Sequence, residues 1–548
     1  MSESALPEPS QPAAPWWRDS VIYQLYVKSF ADSDGDGIGD LDGVTARLDH
    51  IAGLGVDGIW LNPCYPSPNR DGGYDVADYS RIDARYGGTA AFDRLLAATH
   101  ERGLKLLMDL VPNHCSDQHE WFQQALIAGP GSPERARFIF RDGRGPNGRE
   151  PPNNWRSTFG GPAWTRLGQE DQWYLHSFDS SQPDFNWDNA EVAEMFDDVL
   201  RLWFDRGIDG FRIDVAYAMV KHADLPDLTD PEGDNPYLWN QPGVHEIFKR
   251  WRRIVDSYDR ELTLLGEVWL PPSDAAEYIR AGELNQVFYF DLLQQPYEAG
   301  AFRLSIDETL AGLKHVEGVP TWTLNSHDVH RSVTRYGLVE TEPMTSPDVN
   351  ALRTRARGKV DIDLGRARAT AALLLVLALP GSVYLYQGEE LGLPEVQDLP
   401  GTARQDPIWA RTGHTEYGRD GCRVPLPWTA AGSSLGFSHE EAAAPWLPQP
   451  AWFADFAAEV QDDDPDSVLA FYRKALRARR QLHPTAKLEW LESGRDDVLA
   501  FRRDSLSCVT VFDGEPFAVP ATWGTLICSS GHADGALPSG TTAWYQMD

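Results

Sequence analysis

The amino-acid sequence predicts an α/β fold: a (β/α)8 or TIM barrel with a small domain inserted after its third strand and a C-terminal antiparallel β domain. Three observations predict it. Eight short apolar segments alternate with segments of helical spacing, which is the pattern of parallel strands joined by helices. Residues 116–182 break the alternation with Trp-, Pro- and Gly-rich sequence that is too long for a connecting loop. Beyond residue 480, short β segments are separated by turns.

The strands are indicated by continuous runs of β-branched and aromatic residues, because a parallel strand is buried on both faces. The predicted strands are 20–30, 55–63, 105–114, 210–215, 262–269, 286–291, 321–328 and 381–390. Helical spacing of apolar residues predicts helices at 89–102, 191–206, 244–257, 273–281, 366–379 and 466–480. The polar segment 341–359 is predicted to be a surface loop.

The chain of 548 residues is too long for one ordinary core, so we divide it into several parts. A loose, Pro-rich tail precedes the barrel. The predicted parts are a tail at 1–15, a catalytic barrel at 16–115 and 183–480, an inserted domain at 116–182 and a C-terminal β domain at 481–548.

The charge balance limits the partners that this chain can bind. Lys and Arg number 49 against 82 Asp and Glu, which gives a net charge of −33. Such a field repels phosphate backbones and anionic lipid headgroups, so no nucleic-acid or membrane partner is expected. A small neutral substrate meets no such repulsion. Twenty Trp and nineteen Tyr suit stacking on sugar rings, although most will belong to the core. The oligomeric state stays open.

Cysteine usage and the N-terminus favour a cytoplasmic location. The five cysteines are scattered without CxxC spacing, which is typical of neither a disulfide framework nor a zinc site. The first fifteen residues lack the basic start and apolar centre of a signal peptide. The longest apolar run, 371–379, is far too short to span a membrane.

An acidic loop directly after the first predicted strand is a candidate metal site. Asp32, Asp34, Asp36 and Asp40 stand at alternate or nearby positions, and intervening glycines let the backbone curl. Carboxylate oxygens in such a loop suit a hard cation, Ca²⁺ or Mg²⁺, in a structural role. The loop resembles the first half of an EF-hand, but the twelfth position is Gly43 instead of glutamate. The alternative is a solvated acidic turn.

The segment 210–216 carries the strongest catalytic signal. On a strand, Arg212 and Asp214 point to the same face, and the positive charge favours the ionised carboxylate. A structural ion pair is the alternative. Other functional side chains also fall at predicted strand ends, where barrel enzymes place their active sites. They are His114, Glu267, His327 and Asp328.

Separate carboxylates without a nucleotide-binding loop match the needs of glycoside hydrolysis. One carboxylate must be ionised to attack the sugar, and Asp214 beside Arg212 suits that role. Another must donate a proton to the leaving oxygen. Glu267 suits that role because its sequence neighbours are apolar, which favours the protonated form.

The motifs at these positions resemble those of the α-amylase superfamily, glycoside hydrolase family 13, over nearly the whole chain after the tail. Within it, the chain is most similar to the α-glucosidase and oligo-1,6-glucosidase branch. The motifs are Gly58-Ile-Trp-Leu-Asn-Pro63, Asp109-Leu-Val-Pro-Asn-His114, Gln182-Pro-Asp-Phe-Asn-Trp187, Gly210-Phe-Arg-Ile-Asp214, Gly266-Glu-Val-Trp269, Asn325-Ser-His-Asp328 and Gly381-Ser-Val-Tyr-Leu-Tyr-Gln-Gly-Glu389.

The resemblance implies a retaining α-glucosidase that cleaves α-1,4 or α-1,6 bonds at the non-reducing ends of short oligosaccharides. Asp214 would be the nucleophile, Glu267 the general acid/base and Asp328 the transition-state stabiliser. The residues implied to bind the sugar are Asp71, Tyr74 as a stacking platform, His114, Arg212, His327 and Arg419, with Arg423 as the alternative to Arg419 as the partner of Asp71. The implied metal ligands are Asp32, Asp34, Asp36, the Ile38 carbonyl and Asp40.

Val215 follows the nucleophile, and in relatives valine at this position accompanies α-1,6 cleavage. A trehalose synthase, sucrose isomerase or sucrose hydrolase shares the covalent intermediate and is the alternative within this fold. A non-catalytic, transporter-associated relative would have a membrane span and lack the carboxylates that are present here. The G-x-S-x-G match at 432–436 lacks the flanking strand and helix of an esterase and is a chance match.

Overall fold

Eight parallel strands form one sheet in the computed structural model, which describes residues 14–168, 170–231, 233–316, 318–342, 354–482, 487–533 and 535–547. The strands are β1 (Val21–Leu25), β2 (Gly58–Leu61), β3 (Lys105–Leu110), β4 (Gly210–Ile213), β5 (Thr263–Gly266), β6 (Gln286–Val287), β7 (Thr321–Thr323) and β8 (Ser382–Tyr386). Their order in the sheet is β7-β8-β1-β2-β3-β4-β5-β6. A parallel bridge between Phe288 and Thr321 joins β6 to β7 and closes the barrel. The predicted barrel is confirmed.

Each strand is shorter than the sequence predicts, and most of the missing residues are at C-terminal ends, although β2 also begins three residues late, at Gly58. The predicted strand 105–114 ends at Leu110, and 321–328 ends at Thr323. The residues beyond these points leave the sheet and turn at the mouth of the barrel. The apolar runs continue past the last ladder hydrogen bond because the residues at the mouth are still buried, for example His114 and His327.

Helices cover the outside of the barrel, and their apolar faces pack on the strands. Within the described ranges, the helices are Leu41–Ala46, Leu48–Leu54, Gly88–Glu101, Glu120–Ala128, Ala190–Arg206, Val244–Val255, Pro272–Ala276, Ala299–Gly312, Ser332–Gly337, Ile362–Ala378, Pro407–Arg411, Ala458–Asp462 and Val468–Arg479. Residues from several strands, including Ile22, Trp60, Leu107, Leu265 and Tyr384, form a separate apolar cluster. No helix in the described ranges has the length and apolar character that crossing a bilayer requires.

Two smaller antiparallel sheets accompany the barrel. Between β3 and β4, the strands Phe140–Asp142, Trp164–Arg166 and Gln172–Leu175 form one of them. The C-terminal sheet has the order Leu488–Trp490, Val498–Arg503, Leu506–Val511, Thr541–Gln546 and Thr525–Ser529. The sequence predicts strands here around Val498, at 508–512 and at 523–528, and it does not predict Leu488–Trp490 or Thr541–Gln546. The domain boundaries stay predictions.

The predicted surface loop at 341–359 begins and ends in a two-stranded antiparallel pair instead. Leu338–Thr341 pairs with Gly358–Val360. Residues 343–353 of the predicted loop, and residues 1–13 of the predicted tail, lie outside the described residues.

Candidate active site

The guanidinium of Arg212, at the end of β4, joins three carboxylates from three neighbouring strands. Its Nη1 lies 2.9 Å from Asp109 Oδ1 and 2.8 Å from Asp214 Oδ1. Its Nη2 lies 2.6 Å from Glu267 Oε2. All four side chains are buried. The barrel therefore brings Asp214 and Glu267, which are distant in sequence, onto one arginine.

The sequence predicts that Arg212 keeps Asp214 ionised, but this arginine is shared among three carboxyl groups. Burial raises the pKa of Asp214 well above its usual value, Arg212 lowers it, and the neighbouring Glu267 and Asp109 raise it further. Burial also raises the pKa of Asp109 to about 7, against the opposing charge of Arg212. The single positive charge of Arg212 is divided among three buried carboxyl groups, so the pKa values of Asp109 and Asp214 stay raised despite the arginine.

Glu267 follows β5, and its surroundings differ from the apolar ones that the sequence predicts. Its Oε2 accepts hydrogen bonds from Arg212 and from the backbone N–H of Val215 at 3.0 Å. Its Oε1 accepts one from the indole Nε1 of Trp269 at 2.8 Å. The donors come from β4 and from the indole of Trp269, which is one of the apolar neighbours in sequence, so apolar neighbours in sequence do not give Glu267 an apolar environment.

Val215 adopts a strained backbone conformation directly after Asp214. Its φ is +41°, a left-handed value that a β-branched residue rarely takes. This conformation turns the Val215 N–H toward Glu267. Strain of this kind persists only where surrounding contacts hold it, and it is concentrated at functional sites.

Asp328, after β7, lies opposite two arginines. Arg419 Nη1 is 3.1 Å and Arg423 Nη2 is 3.0 Å from Asp328 Oδ1. Burial alone would raise the pKa of Asp328, but the positive charges of Arg419 and Arg423 hold it far below its usual value. Asp328 is therefore an anion in this site.

His327 is neutral and has a defined tautomer. Burial lowers its pKa well below its usual value. Its Nδ1 lies 2.7 Å from the amide nitrogen of Gln24, which can only donate, so Nδ1 accepts and Nε2 carries the proton. His327 stacks on Tyr74 with ring centroids 5.2 Å apart and planes 8° apart.

Asp71 pairs with Arg419, which answers the question that the sequence left open. Arg419 Nη2 lies 2.7 Å from Asp71 Oδ1, and Arg419 Nε lies 2.6 Å from Asp406 Oδ2. Burial raises the pKa of Asp71 to about 6, against the opposing charge of Arg419. Arg423 bonds Asp328 instead. The turn after Asp71 needs glycine, because a Cβ at Gly72, with φ +60°, would overlap the Tyr26 hydroxyl.

His114 and Tyr74 complete the predicted set. Burial lowers the pKa of His114 to about 4, so its imidazole is neutral. Gln182 Nε2 lies 3.2 Å from His114 Nε2 and 3.0 Å from Asp71 Oδ2, which connects the two. The Tyr74 hydroxyl donates to Asp109 at 3.0 Å.

These side chains line one cavity of about 1100 Å³ at the mouth of the barrel. Arg212 lies beneath the residues that line the cavity and is not one of them. The cavity also has aromatic walls, with Trp269 stacked on Phe290 at 4.0 Å and Tyr217 stacked on Trp239 at 5.1 Å. The predicted residues that line it are Asp71, Tyr74, His114, Asp214, Glu267, His327, Asp328 and Arg419.

The acidic loop brings three of its four aspartates together. Oxygens of Asp32, Asp34 and Asp40 lie within 4.8 Å of one another. Asp36 is not part of this group, and its Oδ1 accepts from the Ile38 N–H at 2.8 Å. Asp32 also accepts from the Gly35 and Gly37 N–H groups, which curls the loop. An all-carboxylate donor set fits Ca²⁺ or Mg²⁺.

The sequence interpretation gave no individual role to several residues of the site. Gln182 and Asp109 stand in motifs that were identified, so their positions carried a signal. Asp406 carried none, because it precedes Pro407 and looks like an ordinary helix cap, which it also is. The contact of Trp269 with Glu267 could not be predicted, because it depends on a side-chain rotamer.

Comparison with known proteins agrees with this geometry. The family model for the α-amylase catalytic domain matches residues 24–487 of this sequence. A probable α-glucosidase of Rhizobium meliloti (strain 1021) is 37% identical over 521 residues, which cover 90% of this chain and 88% of that protein. An oligo-1,6-glucosidase of Parageobacillus thermoglucosidasius is 34% identical over 507 residues, which cover 85% and 84%.

Solved structures extend the likeness to the whole fold. The α-glucosyl transfer enzyme XgtA has a TM-score of 0.84 at 36% identity, with 97% of this chain and 100% of that chain covered. The trehalulose synthase MutB of Pseudomonas mesoacidophila MX-45 has a TM-score of 0.85 at 31% identity, with 98% and 100% covered. With its family match spanning most of the barrel, this chain belongs to the α-amylase family of glycoside hydrolases.

Proposed function

We propose that this protein is a retaining α-glucosidase that releases glucose from the non-reducing ends of short, neutral oligosaccharides. The observation that carries the proposal is the joining of Asp214 and Glu267 through Arg212, in a cavity that Asp328 also lines. Retaining glycosidases need a nucleophilic and an acidic carboxyl group close together. A shared guanidinium holds the two groups in that proximity.

In the proposed reaction, Asp214 attacks the anomeric carbon while Glu267 gives its proton to the departing glycosidic oxygen. The product is a β-glucosyl ester of Asp214. A water molecule then attacks the same carbon and gives a proton to Glu267, and the ester bond breaks to release α-glucose. Asp328, held as an anion, stabilises the positive charge that develops on the sugar.

The pairing of Asp71 with Arg419 supports recognition of a terminal glucose. Their carboxylate and guanidinium can accept from and donate to sugar hydroxyls, and the pair is almost fully buried. His114 and His327, both neutral, add further hydrogen-bonding groups without adding charge. Val215 supports activity on α-1,6 bonds, as in relatives that carry valine after the nucleophile.

An α-glucosyl-transferring or sucrose-isomerising enzyme is the second candidate. It is favoured by the solved structures, whose names include an α-glucosyl transfer enzyme and a trehalulose synthase. These reactions share the glucosyl-enzyme and differ in the group that intercepts it. Incubation with maltose, isomaltose, sucrose and trehalose separately, with identification of every product, distinguishes them from hydrolysis.

We further propose that the loop holding Asp32, Asp34 and Asp40 binds a structural Ca²⁺ or Mg²⁺ ion. The ion would neutralise the converging carboxylates and fix the loop between β1 and the first helix. The enzyme is proposed to act in the cytoplasm, because its cysteines are buried thiols suited to a reducing compartment.

Replacement of the proposed nucleophile tests the function. Asp214→Asn should lower the rate of glucose release from maltose and isomaltose by at least about 10³-fold, because the amide cannot form the ester. The matched control is Asp307→Asn, which alters a carboxylate on the outer helix Ala299–Gly312 and should leave the rate unchanged. Circular dichroism and melting temperature verify folding. Full activity of a folded Asp214→Asn enzyme contradicts the assignment.

A further inference from the structure

Three donors hold the carboxylate of Glu267, and they divide its two oxygens unequally. Arg212 and the Val215 N–H both bond Oε2, and both come from the buried end of β4. Oε1 has one donor, the indole N–H of Trp269 at 2.8 Å. The Trp269 side chain is half-buried and lines the cavity. Oε1 is therefore the oxygen with fewer donors, and its donor belongs to the cavity wall.

Packing fixes the direction of that indole N–H. The Trp269 ring lies parallel to Phe290, with centroids 4.0 Å apart and planes 14° apart. A stacked indole cannot turn without losing this contact. The indole nitrogen is a donor only, so it cannot accept a proton from a protonated Glu267. In general, a hydrogen bond from such a donor stabilises a carboxylate oxygen more than the oxygen of a protonated carboxyl group.

We propose that Trp269 is a positioning residue: its indole N–H aims Oε1 of Glu267 at the cavity and sets how readily that oxygen takes up a proton. The inference rests on the proposed function of Glu267 as the general acid/base. In the first half-reaction the proton leaves Oε1 for the glycosidic oxygen as the C–O bond breaks. In the second half-reaction, the oxygen of a water molecule bonds to the anomeric carbon while the bond from that carbon to Asp214 breaks. The water gives its proton to Oε1 of Glu267 in this step.

Other charges also act on Glu267, and the test has to leave them unchanged. On β4, Arg212 contacts it directly and Asp214 shares that arginine. On β3, Asp109 does the same. After β7, Asp328 and the neutral His327 line the same cavity. Trp269→Phe removes the N–H donor together with one ring of the indole, keeps an aromatic ring beside Phe290, and changes none of these charges.

The first test is the pH profile of isomaltose hydrolysis. Loss of a hydrogen bond to the charged form raises the proton affinity of Glu267, so the basic limb of kcat/KM in Trp269→Phe should move up by about one pH unit. Trp490→Phe is the matched control, because it removes an indole N–H bond to a carboxylate, Asp307, outside the barrel. Its basic limb should coincide with that of the wild type. A folded Trp269→Phe enzyme with an unmoved limb overturns the inference.

The second test does not depend on activity. The protein is labelled with ¹⁵N-tryptophan, and the indole N–H resonances are recorded by NMR. The resonance of Trp269 is identified as the one that is missing from the spectra of both Trp269→Phe and Trp269→Tyr. We expect this resonance to move when Glu267→Gln replaces its acceptor. An unmoved resonance overturns the inference, even where the wild-type enzyme hydrolyses no α-glucoside. Absence of hydrolysis by itself contradicts the proposed function and leaves this second result to decide the role of Trp269.

Discussion

Buried carboxylates outnumber the arginines that face them in this site. Arg212 meets Asp109, Asp214 and Glu267, while Arg419 and Arg423 meet three further carboxylates: Asp71, Asp328 and Asp406. An excess of negative charge around the cavity repels anionic ligands and stabilises a developing positive charge. The residue-level charge pattern thus agrees with a neutral sugar substrate and a cationic transition state.

Arg419 is the residue whose geometry makes the sharpest prediction. Its planar fork bonds Asp71, Asp328 and Asp406 at once, which a lysine ammonium cannot reproduce. Arg419→Lys should lower kcat/KM for maltose by about 10²-fold, equivalent to the loss of one or two charge-assisted hydrogen bonds. Steady-state kinetics with maltose measure this change in kcat/KM. Arg411→Lys, which alters an arginine bonded to Gly160, is the control. Wild-type kcat/KM in Arg419→Lys contradicts the role of the fork.

The burial of Glu395 leads us to expect that the free energy of unfolding depends on pH, independently of catalysis. Burial raises its pKa to about 8 from 4.5, against the opposing charges of Arg331 and other arginines. The folded chain therefore keeps a proton that the unfolded chain loses. The contribution of Glu395 to the free energy of unfolding is fully present below about pH 4.5. It is lost as pH rises through 8, at up to about 1.4 kcal/mol per pH unit.

Urea unfolding at pH 5, 6.5 and 8 measures this slope. Glu395→Gln stays neutral at every pH, so the variant should lose less free energy of unfolding between pH 5 and 8 than the wild type. Part of the slope should remain, because burial raises the pKa of Glu389 to about 7 in the same way. Exposed Glu101→Gln should keep the full slope. Equal slopes in Glu395→Gln and the wild type would show that Glu395 is ionised in the folded protein.

At the scale of elements, the acidic loop after β1 predicts a metal-dependent stability. Exhaustive chelation should lower the melting temperature of the wild type more than it lowers activity at saturating substrate, since the loop is proposed to have a structural role. Asp34→Asn should melt at the temperature of the chelated wild type and gain nothing from added Ca²⁺. Asp42→Asn, beyond the loop and paired with Arg94, should respond like the wild type. Absence of any thermal shift on chelation would identify a plain acidic turn.

The barrel strands could be predicted because parallel strands buried on both faces leave continuous apolar runs. Their ends could not, because a strand stops where its neighbours stop bonding to it. β6 shows this most clearly: 286–291 reads as one strand, yet only Gln286–Val287 bond within the sheet and Phe288 continues as a single bridge to Thr321. The last apolar residues, such as Phe290, instead form the wall of the cavity.

The candidate site was predictable to the extent that its residues stand at strand ends. Asp214, Glu267 and Asp328 were found because each follows an apolar run. Their partners depend on long-range geometry: Arg212 bonds Asp109 across 103 positions, and Arg419 bonds Asp71 across 348. Local sequence carries no signal for such pairs, so the polar surroundings of Glu267 could not be inferred.

At the scale of the molecule, the C-terminal sheet is joined to the barrel at the end opposite the cavity. It packs on the long helix Ile362–Ala378, whose last turns are almost entirely buried. The Trp544 indole donates to the Leu374 carbonyl at 3.0 Å. That helix ends just before β8 begins, so the contact lies at the N-terminal ends of the strands, whereas the cavity lies at their C-terminal ends. The C-terminal sheet and the cavity therefore lie at opposite ends of the barrel.

Arg503 in the C-terminal sheet tests this separation. Its Nη1 donates to the carbonyls of Ala378 and Leu379 at the end of that helix, both at 2.9 Å. Arg503→Met should lower the melting temperature by several degrees, because the Ala378 carbonyl loses this donor and the Leu379 carbonyl keeps a long contact from Arg479 Nη1 at 3.5 Å. A buried acceptor left without a good donor costs about 1–3 kcal/mol. The value of kcat/KM should stay unchanged. Arg502→Met, on the opposite face of the same strand, should lower the melting temperature much less. A fall in kcat/KM without a change in melting temperature would instead show that the C-terminal sheet acts on the cavity through the barrel.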